Sequence, residues 1–329
     1  MPYDDPTRDQ DALEPCCADQ STVASRAIVL PTWQSVTDET DPIALAREAR
    51  RRAAGTLDRV TDAHVHLWPT AVYQSLWRWF DDHAWRIAFR GDAEATLGAL
   101  QSAGVSRVVS LVYAHRPGIA RGLNAFAAQL ARAHPEVVAL GTVLPGESDA
   151  RDVVDEALGP LGLRGIKLHC HVQKLAIDDP RVMAVLAQCE RADAVAVVHC
   201  GREPATDAYG VDTHTICHVS RCERVLRAFP RLKLIVPHVG ADEYEAYFAL
   251  MDRHENLYLD TSMACAEYFE HRPDWAQVEA HAERMLYGTD FPITPYELDR
   301  ERTILARRIV SDTAFESIVR GTAARLFPL

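Results

Sequence analysis

The chain has 329 residues, 48% of them hydrophobic, enough for one large domain or two ordinary ones with a full core. Its 47 acidic residues outnumber 35 basic ones, and the formal charge of −12 argues against a nucleic-acid backbone or an anionic membrane surface as partner. The eight cysteines (Cys16, Cys17, Cys170, Cys189, Cys200, Cys217, Cys222 and Cys265) lack the spacing of a secreted disulfide framework, and neither a basic-then-apolar leader nor an apolar run of about 18 residues is visible, which points to a cytoplasmic protein without a membrane span.

Residues 1–40 lack periodic apolar pattern and read as an extension that is loose or wrapped along the surface. Asp41 and Pro42 supply an N-cap and first-turn pair, Gly55 a stop, and the residues between them a short helix near 42–54. The expected organisation is an N-terminal extension over 1–56 and one folded domain over 57–329. From Leu57 onward, β-branched apolar runs predict strands near 58–66, 107–113, 137–144, 163–169, 194–200, 233–239, 257–262 and 285–290. Segments of helical period separate them, including 118–133, 181–192, 218–229, 241–253 and a closing pair around 298–326. Strands spaced too widely for hairpins pair in parallel through right-handed crossovers, and eight such units close a (β/α)8 TIM barrel. An open doubly wound sheet is the alternative.

In such a barrel the reactive face is the C-terminal rim of the strands. Asp62-Ala63-His64-Val65-His66 ends the first strand, and two histidines two apart on a strand share a face and can grip one metal ion. His199, His238 and Asp290 end later apolar runs in the same way. A lone histidine is more often a satisfied core residue, but four candidates at strand ends favour His64, His66, His199 and Asp290 as ligands of a divalent metal. Zinc, as one or two ions, suits that set of imidazoles and a carboxylate. His238, followed by Val239 and Gly240, reads as a general acid/base or as a ligand of a second ion, against a structural role.

Asp62 is expected to orient an imidazole from outside the ligand set. Strand alternation turns Lys167 and His169 inward, and such a lysine would pair with Asp62 or Asp290, bridge two metals once carbamylated, bind substrate, or simply neutralise an acidic wall. His169 belongs in the site on this reading and His171 in the following loop. Trp68, Trp77, Trp79 and Trp85, with Tyr73, Phe80 and Phe89, form an aromatic insertion after the first strand, either a lid over a ring-bearing substrate or a helix burying its own stripe. Arg202 is a candidate anchor for a substrate carboxylate, with a surface ion pair as the plainer alternative.

Together these motifs, with Gly165-Ile166-Lys167-Leu168-His169, Val198-His199-Cys200-Gly201, Pro237-His238-Val239-Gly240, Tyr287-Gly288-Thr289-Asp290-Phe291-Pro292 and a closing Thr322-Ala323-Ala324-Arg325-Leu326-Phe327, resemble the amidohydrolase superfamily over about residues 57–329. The resemblance is to its metal-dependent TIM-barrel hydrolase and decarboxylase group. It implies His64, His66, His199 and Asp290 as metal ligands and His238 as a catalytic residue. Thr322 stands where relatives commonly carry Asn, and Cys170-His171 where many carry a proline. The first expectation is hydrolysis of an amide, lactone or ester in a small organic acid by a metal-activated water, with Asp290 or His238 taking its proton. The alternatives are non-oxidative decarboxylation of an aromatic or unsaturated acid and a barrel that binds a ligand without catalysis. Lys167, His169, Arg202 and Trp68 are the expected substrate contacts. A monomer and a homodimer or larger homo-oligomer both stay open.

Overall fold

The computed structural model describes residues 59–328, so the expected extension over 1–56 and its helix near 42–54 lie outside the described residues. Among the described residues nine short strands run in chain order: β1 (Val60–Val65), β2 (Val105–Ser110), β3 (Val137–Ala139), β4 (Gly141–Thr142), β5 (Gly165–His169), β6 (Val195–His199), β7 (Lys233–Val236), β8 (Leu257–Asp260) and β9 (Met285–Leu286). All pairs are parallel, in the orders β1-β2-β3 and β4-β5-β6-β7-β8-β9. β3 and β4 are halves of one strand broken at Leu140, whose N–H still donates to Ser110 O at 3.0 Å. The last strand returns to the first through Ala63 N to Tyr287 O, Asp290 N to His64 O and His66 N to Phe291 O, each 2.8 Å. Sequential order with closure is a (β/α)8 barrel and excludes the doubly wound sheet, whose order reverses at a switch point.

The alternation of side chains stratifies the interior. On β6, Val195 and Val197 share a face with His199, so apolar residues fill the deep layers and the imidazole emerges at the C-terminal end. Val109, Leu111, Val138, Leu140, Ile235 and Leu286 join that inner cluster, and Leu326 and Phe327 of the closing helix pack against it. β5 and β6 pair Lys167 with Val197 and His169 with His199, setting His169 and His199 side by side. Gly165 begins β5 because the strands approach closely there: a Cβ would stand 2.2 Å from Val195 O.

β1 departs from simple alternation. Its register against β2 shifts between Asp62 and Val65, a bulge that sends Ala63 into the inner cluster. After β1 comes the aromatic insertion, α1 (Thr70–His83), followed by α2 (Ala93–Ser102), which Asp92 caps by accepting from Ala95 N. The one-turn α3 (Cys170–Gln173) begins directly after β5 and ends at Lys174 in the left-handed region, φ 56°.

Candidate active site

The residues of interest all leave the C-terminal ends of strands. His64 lies near the end of β1 and His66 just beyond it, His169 closes β5, His199 closes β6, His238 follows β7, Asp260 closes β8, and Asp290 follows β9. His238, Met263 and Asp290 hold φ of 59°, 58° and 64°, a left-handed backbone that non-glycine residues adopt at a cost of about 1–3 kcal/mol and keep where surrounding contacts over-determine it. Gly240, φ 81°, ends the turn after β7 where a Cβ would fall 2.0 Å from the Tyr247 ring.

His64, His66 and Asp290 meet at one point. Asp290 Oδ1 is 3.2 Å from His64 Nε2 and 2.9 Å from His66 Nε2. The other ring nitrogens face acceptors, His64 Nδ1 at 2.7 Å from Asp260 Oδ2 and His66 Nδ1 at 2.7 Å from Leu111 O. Both protons are thereby assigned to Nδ1, and two Nε2 lone pairs are turned on a carboxylate oxygen. Burial alone would push the Asp290 carboxyl up, but in their protonated form the two imidazoles outweigh it and hold it well below the ordinary range. Burial pulls His66 down to about 4; His64 is raised, since Asp260 and Asp290 overcome the opposing effects of burial and Lys167. Two imidazole nitrogens within 3.2 Å of one carboxylate oxygen, all three donors within 4.8 Å of one another, fit a cation: ligands 2.0–2.1 Å from a tetrahedral ion lie roughly 3.3 Å from each other.

Asp260, which the sequence reading passed over, organises this floor. Its Oδ1 accepts from His238 N at 3.0 Å, Ser262 N at 3.1 Å and the Ser262 hydroxyl, while Oδ2 takes His64. Burial acts against its charge, yet His64, His238 and Ser262 bring it down to about 2. Asp62 does not touch an imidazole. It accepts from Thr289 Oγ1 at 2.6 Å and from Thr289 N and His64 N at 3.1 Å, because the β1 bulge turns it toward the β9 loop. Burial dominates there and raises its carboxyl to about 7.

His238 Nδ1 sits 2.9 Å from Ser262 O, leaving Nε2 3.0 Å from His199 Nδ1. His199 Nε2 in turn lies 3.1 Å from Glu203 O, which directs its Nδ1 inward. His199 therefore stands behind His238, outside the tight triple of His64, His66 and Asp290, and groups instead with His169 and His171. His169 stacks on His199 with centroids 4.1 Å apart. His171 is in the site after all: α3 buries it completely, with Nε2 2.8 Å from Gly201 O and its ring 4.7 Å from His199. Burial holds His169 and His199 well below the usual imidazole range, His171 at about 4, and His238 down as well. Lys167 is inward as expected, and burial lowers it to about 8 against the pull of Asp260 and Asp290. No hydrogen bond or ion pair engages its ammonium among the described residues, so neither Asp62 nor Asp290 is its partner.

A cavity of about 610 Å³ opens above this floor and reaches His64, His66, Lys167, His169, His199, His238 and Asp290. Trp68 stacks on His66 at 4.5 Å and is buried between it and Tyr113. Trp79 of α1 meets Tyr209 across the mouth at 5.3 Å. The insertion buries part of its own stripe, Tyr73 and Trp77 stacking on each other within α1, and Val72, Leu76 and Trp79 line the cavity. Arg202 does not anchor a ligand there. It pairs with Asp242 at 2.8 Å and Glu243 at 3.5 Å and is absent from the cavity wall.

The profile of the amidohydrolase family matches residues 61–329, most of the chain and every residue of this site. The chain belongs to the amidohydrolase family. No protein of curated function matches its sequence. Among solved structures, this amidohydrolase is similar to an uncharacterized TIM-barrel protein, Bb4693 of Bordetella bronchiseptica, at 24% identity and TM-score 0.63 over 82% of this chain and 98% of that one. It is similar to 5-carboxyvanillate decarboxylase LigW of Sphingomonas paucimobilis at 17% identity and TM-score 0.60, covering 82% and 99%. It also resembles a dihydroxybenzoic acid decarboxylase of Polaromonas sp. JS666 with bound manganese and the inhibitor 2-nitroresorcinol, at 15% identity and TM-score 0.58, covering 82% and 96%. These likenesses establish the barrel. The family membership makes the chain an enzyme of the amidohydrolase superfamily, a class that acts on small molecules, and its donor set fits a divalent metal. Among the described residues no helix is long and apolar enough to cross a membrane.

Proposed function

We propose that this amidohydrolase decarboxylates an aromatic hydroxy acid without oxidation, and the observation that carries the reading is the aromatic-walled cavity standing directly over the metal-fitting triple and His238. His64, His66 and Asp290 would hold the cation, while His199, expected from the sequence as a further ligand, has its Nδ1 engaged with His238. Imidazole and carboxylate donors suit zinc, and equally manganese, the ion bound in the Polaromonas enzyme. The bound cation supplies positive charge that draws electron density from the substrate's carboxylate and neighbouring hydroxyl.

The chain's own residues do the rest. Trp68 and Tyr113, packed edge-to-face on each other, present one aromatic wall to the ring, and Lys167 adds a positive charge at the floor. His238, fixed through Nδ1 on Ser262 O, delivers a proton from Nε2 to the ring carbon that bears the carboxylate. The new C–H bond takes its electron pair from the ring, the C–C bond then breaks and returns a pair to the ring, and carbon dioxide leaves. A second reading, hydrolysis, is favoured by Asp290, whose carboxylate could take the proton of an attacking water.

The two separate by product. The metal-replete enzyme, offered a panel of hydroxybenzoates beside aryl esters and lactones, is expected to release carbon dioxide and arene in equal amounts. His238→Asn should cut that rate at least 100-fold while metal content stays unchanged. Ester or lactone cleavage with no carbon dioxide from any acid would overturn decarboxylation in favour of hydrolysis.

A further inference from the structure

The cavity is larger than a single-ring acid needs. Its volume of about 610 Å³ falls in the range of roughly 300–1,000 Å³ that takes a drug-sized ligand, whereas a hydroxybenzoate has only about ten heavy atoms. The surplus lies along α1. Val72, Leu76 and Trp79 follow i, i+4 and i+7 spacing on one helix face, so this wall runs about 10 Å at 1.5 Å per residue. Ala208 and Tyr209, from the loop after β6, also line the cavity and meet α1 where Tyr209 touches Trp79. Val72, Leu76 and Trp79 are only partly buried, although Val310 is the one large apolar side chain that the described surface exposes outright. Apolar surface left open inside a cleft marks a ligand. Charged residues line the cavity elsewhere, Lys174, Glu203 and Asp242 among them, but none of the α1 residues that line it is charged or an imidazole.

We infer that the substrate class is an aromatic hydroxy acid carrying an apolar arm, a second ring or a short hydrocarbon chain, which lies along the Val72–Leu76–Trp79 face while the carboxylate reaches the floor. The inference rests on the aromatic-acid reading above and specifies it. Burying even half of an added phenyl ring is enough for a tenfold gain in affinity.

The test is calorimetric titration of the metal-replete enzyme with salicylate and with its 4-phenyl derivative, carbon dioxide being measured on the same samples. The arylated acid is expected to bind at least tenfold tighter, and in Leu76→Trp, which fills the arm, the ratio of the two affinities should fall toward one. Equal or weaker binding of the arylated acid to the unsubstituted enzyme, or a ratio that survives the substitution, would overturn the assignment. Circular dichroism reports whether Leu76→Trp folds, and Ala208→Phe, which narrows the same arm from the other loop, carries the same expectation if it does not. A preserved tenfold preference without carbon dioxide release removes the reaction and leaves the recognition standing.

Discussion

Asp260→Asn isolates how the floor controls metal binding. The wild-type carboxylate has two unequal oxygens: Oδ1 takes three donors, the His238 and Ser262 main-chain N–H groups and the Ser262 hydroxyl, while Oδ2 takes His64 Nδ1 alone. An asparagine must choose, and three donors to one keep its carbonyl oxygen at the Oδ1 position. Its amide NH2 then faces His64 Nδ1. Two donors cannot share a hydrogen, so His64 shifts to the tautomer protonated on Nε2 and points a hydrogen at Asp290 instead of a lone pair. One of the triple's three donor atoms is lost without moving a heavy atom. Partners of metal-bound histidines are worth 10–100-fold in metal affinity, or about 1.4–2.7 kcal/mol, and a wrong tautomer belongs at or beyond the upper end of that range. The assay is competitive titration of the apoenzyme with zinc or manganese against a chromophoric chelator, alongside thermal unfolding without metal. The expected result is at least a 100-fold weaker metal Kd with an apo Tm within a few degrees of wild type, since the Oδ1 bonds persist. Wild-type metal affinity in Asp260→Asn would refute the tautomer argument.

Two further substitutions probe other claims. Glu301 is fully buried, accepts from Tyr296 Oη at 2.6 Å and Met263 N at 2.9 Å, and has no partner for Oε2 among the described residues; burial raises its carboxyl from 4.5 to about 8. The unfolded chain ionises it from about 4.5 upward and the folded protein only near 8, so wild-type stability falls as pH climbs through that window, whereas Glu301→Gln does not titrate. Urea unfolding should show the Gln variant gaining on wild type between pH 5 and pH 8, by at most about 4 kcal/mol, and a gap that does not change with pH would contradict the buried-acid assignment. Arg202→Ala is expected to move substrate KM less than twofold and to cost under about 1 kcal/mol of stability, because its guanidinium is spent on Asp242 and Glu243 in a partly exposed pair. A tenfold rise in KM would return Arg202 to the substrate.

The barrel and most of its rim were legible because both follow from short-range pattern: period-2 runs mark strands, and polar residues that terminate them fall on one face of a parallel barrel. Asp260 carried the same signal, Leu257-Tyr258-Leu259 ending in a carboxylate, and was within reach of that logic. Asp62 was not, since one register shift in β1 reverses which neighbours a side chain meets and leaves no mark in composition. His171 was placed in a loop because a four-residue helix has too few residues to show a period. The mouth was out of reach for another reason: Trp79 and Tyr209 are 130 residues apart, and only the packing of two loops brings them together. The extension over 1–56, with its helix near 42–54, stays a proposal from sequence alone.

Three positions at the cavity hold a backbone that short-range pattern does not announce. His238, Met263 and Asp290 all hold left-handed backbone at the cavity, against local preference, and each is pinned by a bond from another element: His238 N to Asp260, Met263 N to Glu301, Asp290 N to His64 O. Local rules fail where distant partners impose a conformation, and such places collect at sites that must be rigid before a ligand arrives. The donors therefore do not need the cation to assemble them. Asp260 and Leu111 O aim the imidazoles and Asp290 is held in their path, so metal binding should order few residues, and its affinity should depend on these aiming bonds as strongly as on the ligands themselves.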